Sequence, residues 1–129
     1  MNNLTVTSGN FTAPATLNVN ATAAASSVLL TAGTLTAGTQ INVTGNWINN
    51  EIAASSFTAA SSQVNFTGTT AQTIGGGATT TFNNLKINNA AGISLGINTN
   101  VSNILDLTSG LITTGAFTLT SHSTSNTSI

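Results

Sequence analysis

The sequence predicts an all-β fold: a single-domain parallel β-solenoid whose short strands recur about every 12 residues. Three observations carry this expectation. Apolar and polar residues alternate in short runs along most of the chain, and clusters of Gly, Asn and Ser separate the runs. One phrase is also written twice, as LTAGTLTAG at 30–38 and LTSGLITTG at 107–115, with five of nine positions identical. Repetition favours a solenoid because equivalent positions on successive coils meet equivalent surroundings. A β-sandwich or jelly-roll fibre subunit is the alternative that the same spacing allows.

In chain order, the apolar–x–apolar pairs are Leu4/Val6, Leu17/Val19, Val28/Leu30, Ile41/Val43, Val64/Phe66, Leu85/Ile87, Ile93/Leu95, Leu105/Leu107 and Phe117/Leu119. Their starts are separated by 13, 11, 13, 23, 21, 8, 12 and 12 residues. The two long intervals carry apolar residues near their middles, at Trp47–Ile52 and at Ile74. A further strand belongs in each. Helix signals are nearly absent: the one candidate, Ala21–Ser27, is too short to be stable. Corners are expected at Asn49-Asn50, Asn83-Asn84 and Asn88-Asn89, because Asn tolerates left-handed backbone better than most residues. The Gly75–Gly77 cluster reads as a flexible corner, since neither a helix nor a Lys-Ser/Thr pair follows it as a phosphate loop requires. The solenoid domain is expected over residues 1–120, followed by a polar tail over 121–129.

Composition narrows the function. Only 2% of residues are charged and the net charge is −1, while 26 threonines, 18 asparagines and 14 serines supply the polar surface. Such a chain has no field to attract nucleic acid or an anionic membrane surface. No apolar run is long enough to enter a bilayer as a helix, so no membrane insertion is expected. Neutral ladders of Thr on Thr and Asn on Asn suit stacked coils, whereas stacked like charges repel. With little charge to keep copies apart, self-association is favoured.

Catalytic parts are scarce. The two acidic residues, Glu51 and Asp106, lie far apart in sequence, and there is one lysine, no arginine, no cysteine and one histidine. Asp106 sits between Leu105 and Leu107, and Lys86 between Leu85 and Ile87, so both are expected to point outwards as edge-protecting charges. His122 is a lone imidazole in a polar run, which does not make a metal site. No catalytic, metal or cofactor-binding residue is assigned, and enzymatic activity is not expected. Trp47 could stack on a sugar, but a core or corner filler is the stronger expectation, because a single aromatic does not make a carbohydrate platform. Thr-x-Thr triplets such as Thr5–Thr7, Thr34–Thr36 and Thr118–Thr120 raise an ice-binding ladder as a minor alternative, although their spacing is irregular.

Residues 79–120, TTTFNNLKINNAAGISLGINTNVSNILDLTSGLITTGAFTLT, resemble the degenerate repeats of large secreted surface proteins of Bacteroidetes-type bacteria. The upstream GNWINN and SSQVNFTGTTAQTIGGG, within residues 45–77, are similar to the segment preceding that phrase in the same proteins. The resemblance implies a parallel β-helical, extracellular or cell-surface segment with a structural or adhesive role.

Together these readings lead to one functional expectation: a neutral extracellular filament whose subunits join head to tail through uncapped β ends. The candidate assembly residues are Leu4 and Val6 at one end and Phe117 and Leu119 at the other. The expected partner is a second copy of the chain, with a glycan or other cell-surface component as the alternative for an adhesive stalk.

Overall fold

In the computed structural model, which describes residues 1–21, 26–52 and 56–123, every strand pairing is parallel and the coils stack into a β-solenoid of about five turns. Each coil visits three faces. The first face is one sheet of β1 (Leu4–Val6), β4 (Ser26–Leu30), β7 (Asn46–Asn49), β10 (Gln72–Gly76), β12 (Ile93–Leu95) and β14 (Ile112–Thr113). The second begins as β2 (Asn10–Thr12), β5 (Thr34–Thr36) and β8 (Phe57–Thr58). The third holds β3 (Thr16–Val19), β6 (Gln40–Val43) and β9 (Gln63–Phe66), and continues into β11 (Thr80–Asn88) and β13 (Thr99–Ser109).

The later coils turn without breaking the strand. In β11 and β13 the first halves take over the second face, and β15 (Leu119–Ser121) adds to them. The Phe57 and Phe82 rings, 5.8 Å apart, mark this succession. The pairing of β11 with β13 slips between Phe82 and Asn84, so the doublet Asn83-Asn84 is a register irregularity inside a continuous strand. Asn49 and Asn89, by contrast, are buried where strands end. Of the Gly75–Gly77 cluster, the first two residues pair with Ile48 and Asn49 as the end of β10, and only Gly77 lies beyond the strand. The helix candidate Ala21–Ser27 falls partly outside the described residues, and its last two positions open strand β4.

Inward columns run the length of the solenoid. On the first face Leu4, Val28, Trp47, Ile74 and Leu95 stack in register. On the third face Leu17, Ile41, Val64, Leu85 and Leu105 form one column, and Val19, Val43, Phe66, Ile87 and Leu107 form its neighbour. All but one of the alternating pairs in the sequence are therefore rungs of these two faces, the exception being Phe117/Leu119, whose Leu119 lies in β15. The second face contributes a lone inward residue per coil in Phe11, Leu35 and Phe57, which is why pair counting gives a 12-residue spacing for a coil of three strands. Around the middle coils Trp47, Phe57, Phe82 and Phe66 pack mostly edge to face, with centroids 4.8 to 6.4 Å apart. Fully burying a large apolar side chain contributes about 1.5–3 kcal/mol, so this cluster is a principal source of stability.

The twice-written phrase does not mark equivalent places. LTAGTLTAG turns from β4 to β5, from the first face to the second, whereas LTSGLITTG turns from β13 to β14, from the third face to the first. What the two share is a corner. Gly33 and Gly110 both adopt positive φ, +88° and +90°, and each lies against the backbone of the coil before it, at Gly9 and Asn89 respectively. The similarity thus reports strand–glycine–strand chemistry and not the length of the coil.

Corners between the third and first faces are tied by buried side chains. The Gln72 amide donates to the Val43 and Gly45 carbonyls at 3.1 and 2.6 Å, and its Oε1 accepts from Gly68 N–H at 3.0 Å and from the Asn89 amide at 2.9 Å. One side chain thereby links three consecutive coils. Corner lengths differ from coil to coil: along the first-face column, successive rungs are 24, 19, 27 and 21 residues apart.

Two glycines separate backbone strain from crowding. Gly9 has a φ of +65° with open space around a built Cβ, and Gly33 has the same hand of backbone with none. Chemical denaturation should show Gly9→Ala costing about 1–2 kcal/mol for the left-handed backbone alone. Gly33→Ala should cost clearly more, because the added methyl forces adjacent coils apart.

Candidate functional site: an amide ladder on the third face

The outer side of the third face carries the most organised polar chemistry in the molecule. Because its inward neighbours stack in register, so do the residues between them: Asn18, Asn42, Asn65, Lys86 and Asp106. A side amide is both donor and acceptor, so a column of them can bond continuously along the axis. Asn65 Nδ2 donates to Asn42 Oδ1 at 2.7 Å, and Asn42 Nδ2 donates to Asn18 Oδ1 at 2.7 Å. A second column reinforces the first. Gln40 donates to Asn42 Oδ1 at 2.8 Å, and Gln63 donates to Asn65 Oδ1 at 2.6 Å.

At its far end the ladder changes from amides to charges. Lys86 and Asp106 are register partners, and their Nζ and Oδ2 lie 3.2 Å apart. Both point outwards, as their sequence positions imply; the stacking of β13 on β11 adds that they face each other. At this exposure the pair stabilises the fold by about 1 kcal/mol or less. Its effect on the surface is greater, since it neutralises the chain's single lysine.

The ladder floors an open trough of about 530 Å³ that also touches Asn20, Thr67 and Asn88. Through Asn20 and Thr67 the trough continues into a second depression of about 390 Å³ beside Gly68–Thr70. Four coils contribute to the first depression, so it extends about 14 Å along the axis at about 4.8 Å per coil.

The other candidates are dispersed. Glu51 follows β7 in the third coil and Asp106 belongs to β13 two coils later, so the carboxylates do not form a pair. His122 is exposed just after β15, its amide bonded to the Val101 carbonyl. Trp47 is fully buried, with its indole N–H donating to Thr80 Oγ1 at 3.2 Å. It fills the core and presents no ring to a sugar. Of the threonine triplets, Thr5–Thr7 begins on the first face while Thr34–Thr36 lies on the second, so the two do not form one ladder.

The candidate assembly residues occupy opposite ends. Leu4 and Val6 lie in β1 on the first face, buried by the coil above them. Leu119 is half-buried in β15 on the second face, and Phe117 is 37% exposed just before it. Composition anticipates Asn-on-Asn stacking in general, without indicating which residues form the ladder. Its signal was present in the recurring polar residue between paired apolar ones: Leu-Asn-Val, Ile-Asn-Val and Val-Asn-Phe.

Replacing Asn42 by Ala removes bonds to both neighbouring coils and should cost about 1–2 kcal/mol in urea denaturation. Asp106→Asn should cost under about 1 kcal/mol, and that difference should vanish at high salt. The fluorescence of Trp47 should be short in wavelength and poorly quenched by acrylamide. No family model, no curated protein and no solved structure matches this chain, so the fold and the ladder are the grounds on which function is argued.

Proposed function

We propose that the chain is a structural subunit of a neutral extracellular filament, growing head to tail as the terminal coil of one copy stacks on the first coil of the next. One observation carries the reading. Leu107 belongs to an inward column whose earlier members, Val19, Val43, Phe66 and Ile87, are fully buried, yet it is 36% exposed because no described strand covers it. On the last strands of the first and second faces Ile112 and Leu119 are half-buried, and just before them Leu111 and Phe117 are exposed. Among the described residues this end offers apolar surface together with open parallel strand edges, which is a template for another strand.

The opposite end has matching faces. A following copy would set its β1 on β14 along the first face and its β2, with Phe11, on β15 along the second. Leu4/Val6 and Phe117/Leu119 therefore act on different faces of one joint. On the third face Met1 occupies part of the β3 edge, donating to the Asn18 carbonyl at 3.0 Å and accepting from the Asn20 amide at 2.8 Å. Such a joint is heterologous and propagates without closing. The near absence of charge supports it, and the likeness of residues 45–77 and 79–120 to surface-protein repeats supports an extracellular setting.

Negative-stain microscopy and concentration-dependent light scattering test the proposal. The purified chain should form fibres one solenoid wide, and Leu119→Asp should abolish them without changing the circular dichroism spectrum. Val6→Asp is the poorer probe: Val6 is only 5% exposed, so a carboxylate there also disrupts the first coil. A wild-type chain that stays monomeric at high concentration rules the filament out.

A further inference from the structure

We propose that the amide trough on the third face is a binding site for a neutral polysaccharide strand, distinct from the end-to-end joint. Three features of the trough select this class of ligand.

The first is its hydrogen-bonding character. Each bond of the ladder uses one N–H of an amide and one lone pair of the next. Gln40 and Gln63 donate into the ladder through Nε2, while their Oε1 atoms accept no hydrogen bond from the described residues. The surface therefore presents acceptors and spare N–H donors side by side, held in place by bonds already made. A sugar hydroxyl is both donor and acceptor and pairs with either, and side chains fixed in advance lose little entropy on binding.

The second is charge. The one lysine on the trough is held 3.2 Å from Asp106, so the lining side chains carry no unopposed cation. A nucleic acid, a uronate chain or a sulfated glycan would be desolvated here without a compensating partner. A neutral chain loses nothing by comparison.

The third is shape. The trough draws on four coils and runs on into the depression beside Gly68–Thr70, which suits several linked sugar units better than one. A second copy of the chain cannot pair this face with its own, because two identical concave faces do not close on each other. With Trp47 fully buried, binding here depends on amides and not on aromatic stacking.

Calorimetry with unbranched neutral oligomers of glucose, mannose and galactose, beside a uronate oligomer, tests the site on the intact chain. At least one neutral oligomer should bind, with an affinity insensitive to salt. The double variant Gln40→Leu/Gln63→Leu should weaken that binding about tenfold or more, as expected for one or two unmade hydrogen bonds. Thr12→Val/Thr36→Val, on the second face, should bind as the wild type does. The proposal is overturned if no neutral oligomer binds, if the uronate binds more tightly, or if the Gln40/Gln63 variant retains full affinity. It is equally overturned if that variant alters sedimentation of the chain while no sugar binds, which would make the face a contact between copies. Sugar binding by a chain that never forms fibres would sink the filament reading alone.

Discussion

Parallel, in-register stacking is the constraint on which the rest of this molecule depends. A parallel strand in a solenoid sees the same environment above and below, so every position is answered by its counterpart one coil away. Inside, the result is columns such as Leu17, Ile41, Val64, Leu85 and Leu105, where each side chain covers the last. Outside, the same registry brings Asn18, Asn42 and Asn65 within hydrogen-bonding distance. A stack of like charges would repel at this separation, whereas a stack of amides bonds along its length. The 2% charged composition is therefore compatible with this stacking.

Registry has to survive corners of unequal length. The chain manages this with two kinds of residue. Glycines at positive φ, as at Gly33 and Gly110, let one coil lie directly against the carbonyl of the last. Buried amides such as Gln72 and Asn89 satisfy backbone groups that the turns leave unpaired. Burying a polar side chain is costly unless its bonds are made, and Gln72 makes four across three coils. These residues hold the faces in line, and without that alignment neither the ladder nor the exposed terminal columns would exist.

The two proposed activities use perpendicular aspects of one object. Stacking would act along the axis, where Leu107 and Leu119 end their columns. Sugar binding would act across it, where the third face is concave and neutral. A filament built in this way would repeat its trough once per subunit, so weak individual contacts to a long glycan would add up through effective concentration. That combination suits a surface fibre that must both extend and adhere.

The sequence by itself determined the class of fold, because strict apolar–polar alternation broken by Gly and Asn leaves a stacked β structure as the economical way to bury so many short runs. It also placed Lys86 and Asp106 on the outside, since their immediate neighbours dictate which way a strand residue points, and it favoured Trp47 as a core or corner filler because a lone aromatic makes no sugar platform. Only the tertiary structure decided what lies next to what across coils. The repeated LTxG phrase looked like a coil marker and proved to be a corner used between different pairs of faces. The second face stayed hidden because β2, β5 and β8 each bring one apolar residue inward, where every coil of the third face brings two. The Lys86–Asp106 contact and the Asn ladder join residues about 20 apart, across corners whose lengths vary from coil to coil. Alternation is a local property and reveals which side of a strand a residue occupies. Registry between coils depends on how each corner folds, and that is set by the packing of the whole.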